Sequence, residues 1–254
     1  FDFVIIGSGP GGYVAAIRAA QLGMNVACVE KRDTLGGTCL NVGCIPSKAL
    51  LNASEKFEEA KQNHLAALGI GLSDVKLDLK KMLQHKSDIV SGLTKGIGQL
   101  FAKNKITHLV GSAKIISKDT VYIADGPDKG EFKADKILIA TGSEPTTLPS
   151  LKIDEKQIVS STGALEIPKL PKKLVVIGAG YIGLELGTVW SRLGAEVEVV
   201  DFLPRILPGM DAEIATKFKA ILEKQGIRFH LGKGVKEASK TKTSVSLAGF
   251  VVSS

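Results

Sequence analysis

The sequence predicts an α/β protein built from two parallel-sheet units of one plan, with an antiparallel β meander added, and three observations carry that prediction. A short apolar run, Phe3-Val-Ile-Ile6, ends in Gly7-Ser-Gly9-Pro-Gly-Gly12 and leads into a helical run from Tyr13 to Leu22. Gly23 stops it, and a second strand-like run, Val26 to Val29, closes on Glu30. The plan recurs as Lys173 to Ile177, Gly178-Ala-Gly180-Tyr-Ile-Gly183, a helix to Leu193, Gly194, Val197 to Val200 and Asp201. Adding 171 to Gly7, Gly9, Gly12, Leu22, Gly23, Val26 and Glu30 gives Gly178, Gly180, Gly183, Leu193, Gly194, Val197 and Asp201 without a gap. Between the copies, Ile106 to Ala140 breaks into short β-rich runs, His108 to Ile116, Thr120 to Ala124 and Ile137 to Ala140, with Asp125-Gly126 as a turn signal.

Each βαβ unit carries chemistry. Gly7 permits a tight turn, Gly9 lets a pyrophosphate approach the backbone, Gly12 lets helix and strand pack closely, and Glu30 can accept hydrogen bonds from a ribose. Glycines punctuate many loops, so the fingerprint alone is weak. Strand before, helix after and a carboxylate at the next strand end make these two Rossmann-like dinucleotide-binding units.

Directly after the first unit, Leu35-Gly-Gly-Thr-Cys-Leu-Asn-Val-Gly-Cys-Ile-Pro-Ser-Lys48 places Cys39 and Cys44 between a Gly-rich turn and a helix start. Pro46 suits a first helical turn, so Cys44 is expected just ahead of a helix N-terminus, whose partial positive charge favours a thiolate. A zinc site would need four ligands, but Cys28 lies inside an apolar run and His64, His85, His108 and His230 are scattered, so no metal is expected. A structural clip across so short a loop would restrict the unfolded chain little. The pair therefore reads as a redox centre. A dithiol gives up two electrons together, and passing them to a nicotinamide as hydride calls for a flavin as mediator, which gives each dinucleotide unit a purpose.

Further along, Ser47 to about Lys61 reads as a helix, and Leu79 to Lys103 as a longer amphipathic one. Leu79, Met82, Leu83, Ile89, Val90, Leu93, Ile97, Leu100 and Phe101 form its expected core-facing stripe, with His85 off it as a solvated histidine. Thr141-Gly142-Ser143 at a strand end is small enough for a cofactor to approach. The shift to Pro, Ser, Thr and Lys from Pro145 to Pro171 divides the chain into domains 1–145 and 146–254. In the second, a helix from about Ala212 to Gln225 and a strand from Ile227 to Leu231 follow the repeat, and nothing beyond about Thr243 reads as its completion. So few parallel strands leave an open edge and an uncovered face, which marks the chain as part of a longer one.

The net charge of +7 is spread along the chain with acidic residues between the basic ones, so nucleic acid is not an expected partner. No run approaches the ~18 uninterrupted apolar residues of a membrane span. Three cysteines in 254 residues argue for a reducing compartment and against a secreted disulfide scaffold.

The run Gly36 to Lys48, the two fingerprints and Ala140-Thr-Gly-Ser143 together resemble the flavin disulfide reductases. Within them, Cys-Leu-Asn-Val-Gly-Cys-Ile-Pro-Ser-Lys-Ala-Leu-Leu is most similar to the dihydrolipoamide dehydrogenases, and the resemblance covers residues 1 to about 235. It implies FAD on the first unit and NAD on the second. Cys44 would lie against the flavin as the charge-transfer thiolate, Cys39 would exchange with dihydrolipoamide, and Lys48 would pair with Glu185 beside the ring. Tyr181 would be a lid over the flavin that moves aside for nicotinamide. The implied cofactor-binding positions are Gly7, Gly9, Gly12, Glu30, Lys31, Gly37, Thr38, Lys48, Ala113, Thr141, Gly142 and Ser143 in the first unit and the segments around it. In the second they are Gly178, Gly180, Tyr181, Ile182, Gly183, Glu185, Asp201 and Val235, with Ala113 and Val235 at the two adenines. Implied partners are a lipoyl domain of an acyltransferase or glycine-cleavage carrier protein and a second copy in a homodimer, in the mitochondrial matrix or alternatively the cytoplasm.

One departure stands out. The family's base is a His with Glu five residues later on a C-terminal dimerisation domain, and none of the four histidines here has Glu at that offset. The chain alone is accordingly expected to be inactive. The competing readings are a glutathione-type or mercuric reductase, against which Asp201 argues by repelling a 2′-phosphate, and a flavin-binding interaction module without turnover.

Overall fold

The structure, a computed structural model, describes residues 1–149, 151–241 and 244–248. Val4, Ile5 and Ile6 of β1 (Phe3–Ile6) are all buried, which requires a layer on each side of the strand. The first sheet is parallel in the order β3-β2-β1-β7, where β2 is Val26–Glu30, β3 is Thr107–Val110 and β7 is Lys136–Ile139. On one face Ile5 and Cys28 pack with Ala16 and Ala19 of α1 (Pro10–Gln21) and with Ile97 and Phe101 of α4 (Leu79–Lys103). On the other, Val4, Ile6, Ala27 and Val29 meet Val121 and Ile123 of an antiparallel meander, β4 (Ala113–Ser117), β5 (Thr120–Ile123) and β6 (Gly130–Lys133). Covering both faces is what a parallel sheet needs, and it is why the strands read as unbroken apolar runs.

The redox stretch folds as α2 (Gly37–Val42) and α3 (Cys44–Lys61). The second sheet is parallel in the order β10-β9-β8, with β8 Lys173–Ile177, β9 Glu196–Asp201 and β10 Arg228–Leu231. Helix α6 (Tyr181–Leu193) packs on it at Gly187, where a Cβ would stand 3.4 Å from Val197 and 3.5 Å from Val176. Fully buried Trp190 donates its indole N–H to Ala164 O of α5 (Ser161–Ala164) at 3.1 Å and so fixes α6. Helix α7 (Ala212–Lys224) is capped by the Asp211 carboxylate, which accepts from the backbone of Glu213 and Ile214. The chain divides into two compact units, Phe1–Pro46 with Lys86–Glu144, and Ser47–His85 with Pro145–Ser254.

Several elements depart from the sequence reading for identifiable reasons. Helix α1 starts at Pro10, not Tyr13, because a first-turn proline gives up an N–H that has no acceptor anyway. Cys44 is the first residue of α3, not the residue before it, and Pro46 still falls among the N–H groups that lack intrahelical partners. The run His108 to Ile116 is two strands, since Gly111 at φ +146° turns the chain from sheet to meander. The sequence did not mark β6, α2, α5, the 3₁₀ turn His64–Leu68, or the hairpin of β11 (Glu237–Lys240) and β12 (Val245–Ala248). Past Thr243, β12 pairs antiparallel with β11 in a sheet of its own and adds no strand to the second parallel sheet, while residues 249–254 lie outside those described. On α4 the buried positions are Lys86, Thr94, Ile97 and Phe101, and Leu93 and Leu100 of the expected stripe are exposed. His85 is exposed, as read.

His108 on β3 stands edge-on to Phe101, and its Nε2 is buried without a hydrogen-bond partner among the described residues. Burial holds its pKa below the ordinary 6.5, against the opposing pull of Glu30 and Asp128. Below that ordinary value the unfolded chain takes up a proton that the folded chain resists, so stability falls as pH drops through it. Urea unfolding at pH 7.5 and at pH 5.5 should show a loss on acidification that is smaller in His108→Leu; an equal loss in both proteins would contradict the assignment.

Candidate active site

In the first unit, two glycines are fixed by contact. A Cβ on Gly12 would fall 1.8 Å from Gly7 O, and one on Gly7, whose φ is +101°, would fall 2.3 Å from Ala140 O. Gly9 is different, since a Cβ there would meet only Gly37 Cα at 3.9 Å, which leaves its other side open to a ligand. Gly37 in turn has no room: its φ is +57° and a Cβ would sit 2.6 Å from Gly9 Cα. The redox segment is thus laid backbone to backbone on the dinucleotide loop.

Ser8, fully buried, joins the same parts by hydrogen bonds. Its N–H and hydroxyl both donate to Glu30 Oε2, at 3.0 and 2.6 Å, while the Gly36 N–H donates to Ser8 O at 3.0 Å and Ser8 Oγ at 3.1 Å. The Arg32 N–H takes Glu30 Oε1 at 3.0 Å. Three donors therefore occupy Glu30, and of the roughly four lone-pair sites of a carboxylate about one is left open.

Cys39 lies half-buried in α2 against the first core, and Cys44, exposed, opens α3. Asn41 stiffens the turn between Gly36 and α3 by donating to Leu35 O at 3.1 Å and Gly37 O at 2.9 Å, and accepts from the Thr34 hydroxyl at 2.7 Å. Cys28 has the opposite character. It is fully buried in β2, donates its S–H to Gly7 O at 3.8 Å, and burial, with the Glu30 charge second, pushes its pKa up to about 12. A thiol held protonated is not the nucleophile.

The exposed segment Thr141 to Ser143 reaches back to the redox turn, where the Thr38 hydroxyl donates to Ser143 O at 3.1 Å and Lys31 forms an ion pair with Glu144. Ala113, half-buried, begins β4 opposite Ile123.

The second unit repeats the loop with fewer ties. Gly178 has φ +104°, and a Cβ on Gly178 or Gly180 would meet nothing within 4 Å, whereas one on Gly183 would fall 2.4 Å from Gly178 O. Asp201, 8 % exposed, accepts from the N–H of Ala179 at 2.7 Å and of Leu203 at 2.8 Å. Ala179 is the repeat's counterpart of Ser8 and brings no hydroxyl, so about two of the four acceptor sites on Asp201 stay open. Tyr181 and Ile182 are exposed at the start of α6, and Val235 is half-buried after β10. Lys48 donates to both oxygens of Glu185, at 2.6 and 2.8 Å, so α3 and α6 meet at this pair. His230 instead contacts the buried Glu198 carboxylate at 3.0 Å, beside Lys173 and Arg228. Among the described residues no group of His, Cys, Asp or Glu is placed to hold a metal, and no helix is long and apolar enough to cross a membrane.

The profile of the pyridine nucleotide-disulphide oxidoreductase family matches residues 1–252. The chain belongs to this family. Leghemoglobin reductase of Vigna unguiculata is 57 % identical over 91 % of this chain and 44 % of its own length. Dihydrolipoyl dehydrogenase 3 of Pseudomonas putida is 54 % identical over 97 % of this chain and 53 % of its own. The mitochondrial dihydrolipoyl dehydrogenase of Pisum sativum is 56 % identical over 91 % and 46 % respectively. Among solved structures, the HOCl-induced flavoprotein disulfide reductase RclA of Escherichia coli superposes with a TM-score of 0.82 at 28 % identity, over 97 % of this chain and 52 % of that one. The chain thus spans about half the length of the curated relatives it matches.

The sequence reading passed over Ser8 and Glu144, and it named Ser143 without the contact its carbonyl makes with Thr38; all three tie the first loop or the redox turn in place. For Ser8 one signal existed, because the 171-residue offset sets a hydroxyl in the first unit against Ala179 in the second. Ser8→Ala removes a donor from a buried carboxylate and should lower stability by about 1–3 kcal/mol. Urea denaturation followed by circular dichroism reads this, and an unchanged midpoint would show that the hydroxyl does not hold Glu30.

Proposed function

We propose that the full-length protein reoxidises protein-bound dihydrolipoamide to lipoamide with NAD⁺. The observation that carries this reading is the Cys39–Cys44 segment laid on the first dinucleotide loop, in a chain 53–57 % identical to proteins named dihydrolipoyl dehydrogenase. The residues fit the two cofactors. FAD takes residues 1–145, with Gly7, Gly9 and Gly12 cradling its pyrophosphate, Glu30 its ribose, and Lys31, Gly37, Thr38, Lys48, Ala113 and Thr141 to Ser143 along its length. NAD takes residues 146–254, with Gly178, Gly180 and Gly183 at its pyrophosphate, Asp201 at its ribose, and Tyr181, Ile182, Glu185 and Val235 alongside. Bound flavin supplies a two-electron relay between dithiol and nicotinamide. The open acceptor sites of Asp201 suit two ribose hydroxyls, and its charge opposes the phosphate of NADP.

The chain's own residues perform the thiol exchange. A thiolate of dihydrolipoamide attacks the Cys39 sulfur of the oxidised pair, and the sulfur–sulfur bond breaks with its electrons going to Cys44. The second lipoamide sulfur, losing its proton to a base, then displaces Cys39 from the mixed disulfide, so that lipoamide leaves oxidised and the cysteine pair is left reduced. The ammonium of Lys48, held by Glu185, steadies negative charge one turn along α3 from Cys44. The partner is a lipoyl domain of an acyltransferase or glycine-cleavage carrier, met by a homodimer. Mitochondrial names among the relatives favour the matrix, and the Pseudomonas relative keeps the cytoplasm as the alternative.

The full-length protein should be yellow and show a long-wavelength thiolate-to-flavin band on mild two-electron reduction. Cys44→Ser should abolish the band and Cys39→Ser should show it without reductant. The reverse pattern would exchange the two roles, and a band in neither the unmutated protein nor Cys39→Ser would remove the reading.

A further inference from the structure

Helices α3 and α6 are joined by two rungs, not one. Lys48 meets Glu185, and Arg192 donates to the main-chain carbonyl of Leu51 at 3.3 Å and forms ion pairs with Glu58 at 3.3 Å and Glu55 at 3.9 Å, its buried Nε making no hydrogen bond among the described residues. From Glu185 to Arg192 is seven residues, and from Lys48 to Glu55 is also seven. The rungs therefore lie about two turns, roughly 10 Å, apart on both helices, and the helices run parallel with their N-termini at the same end. Along α3 itself, Lys48 stands one turn after the first residue of the helix, Cys44.

The rungs differ in kind. The side chains of Lys48 and Glu185 are 59 % and 31 % exposed, while Arg192 and Glu58 are 16 % and 20 %. One exposed ion pair on a four-carbon stem is too weak to hold two helices in register by itself, so it depends on the helices being set by another contact. Arg192 instead contacts a backbone carbonyl, which moves only with α3 itself, and adds carboxylates on the next two turns. Its own helix is pinned from within by Trp190.

We infer that Arg192 is a positioning residue, setting the register of α3 against α6 so that Lys48 and Glu185 meet, and so fixing the redox helix relative to the nicotinamide-binding helix. This rests on the function proposed above. Loss of the clamp lets α3 slide or rotate, and misplacement by about 1 Å can cost about a hundredfold in rate. A lysine does not reproduce the arginine, since its ammonium is one compact charge, whereas the guanidinium spreads its charge over three nitrogens that face the Leu51 carbonyl, Glu55 and Glu58 separately.

The test uses the full-length flavoprotein with Arg192→Met, Arg192→Lys, Lys48→Met and the Arg192→Met/Lys48→Met double variant. Arg192→Met should lower kcat by about tenfold or more with the KM for dihydrolipoamide within about twofold, and weaken the thiolate-to-flavin band. Arg192→Lys should not restore either, and Arg192→Met should add nothing in the Lys48→Met background. Unchanged band and kcat, or additive effects in the two backgrounds, would reduce Arg192 to a structural tie and overturn the inference. Should Arg192→Met fail to hold flavin, Glu58→Gln, which keeps the Leu51 contact, decides: a weakened band supports the inference and an unchanged one overturns it. An unmutated protein without band or lipoamide turnover would sink the proposed function alone. The register claim is then read from urea unfolding of the same four proteins, where coupling between positions 48 and 192 supports it and additivity overturns it.

Discussion

The contact between Gly9 and Gly37 is the constraint from which the first unit's chemistry follows. Two main-chain segments touch where Gly37 has no room for a Cβ, so the segment bearing Cys39 has its start fixed by the same loop that would receive a pyrophosphate. Ser8 locks this by committing both its backbone and its hydroxyl to Glu30 and Gly36. The consequence is that the first glycine loop, the buried Glu30 carboxylate and the turn at Gly36 are held together as one piece. A redox pair on an independent surface loop would have to be ordered separately, at a backbone cost of about 1–2 kcal/mol per residue.

The repeat is alike in backbone and unlike in saturation. Both units place a carboxylate at the end of their second strand and use it to hold the glycine loop, but Glu30 takes three donors and Asp201 two. Gly178 and Gly180 also lack the packed neighbours that fix Gly7. The first site is thus tied down by its own chain and suits a resident group, while the second leaves acceptors and space for a cofactor that comes and goes.

Much of this was legible in the sequence because it depends on residue type at fixed spacing. Glycines are required where a Cβ would collide, as at Gly12 and Gly183, and the 171-residue offset repeats those collisions. The Lys48–Glu185 pair was reached only through resemblance, since 137 residues separate its members. What stayed hidden has a common cause: Ser8, Arg192 and the contact of Thr38 with Ser143 all act through main-chain groups, and a backbone carbonyl leaves no trace in the residue names around it. The short elements α2, α5 and β6 were missed because four to six residues hold too few apolar positions to show a period. On α4 the stripe was visible and its burial was not, because Lys86 lies buried while Leu93 and Leu100 face outward.

The close approach of Gly9 and Gly37 can be tested by adding one methyl group. Gly37→Ala meets both a positive φ and a backbone atom 2.6 Å away, whereas Gly23→Ala meets a positive φ, +90°, with nothing within 4 Å. Flavin bound per chain in the purified full-length protein separates the two. Gly23→Ala should retain its flavin at a modest loss of stability, and Gly37→Ala should lose most of it. Equal flavin in both would show that the redox segment can leave the dinucleotide loop without consequence, and would contradict the dependence of the flavin site on this contact.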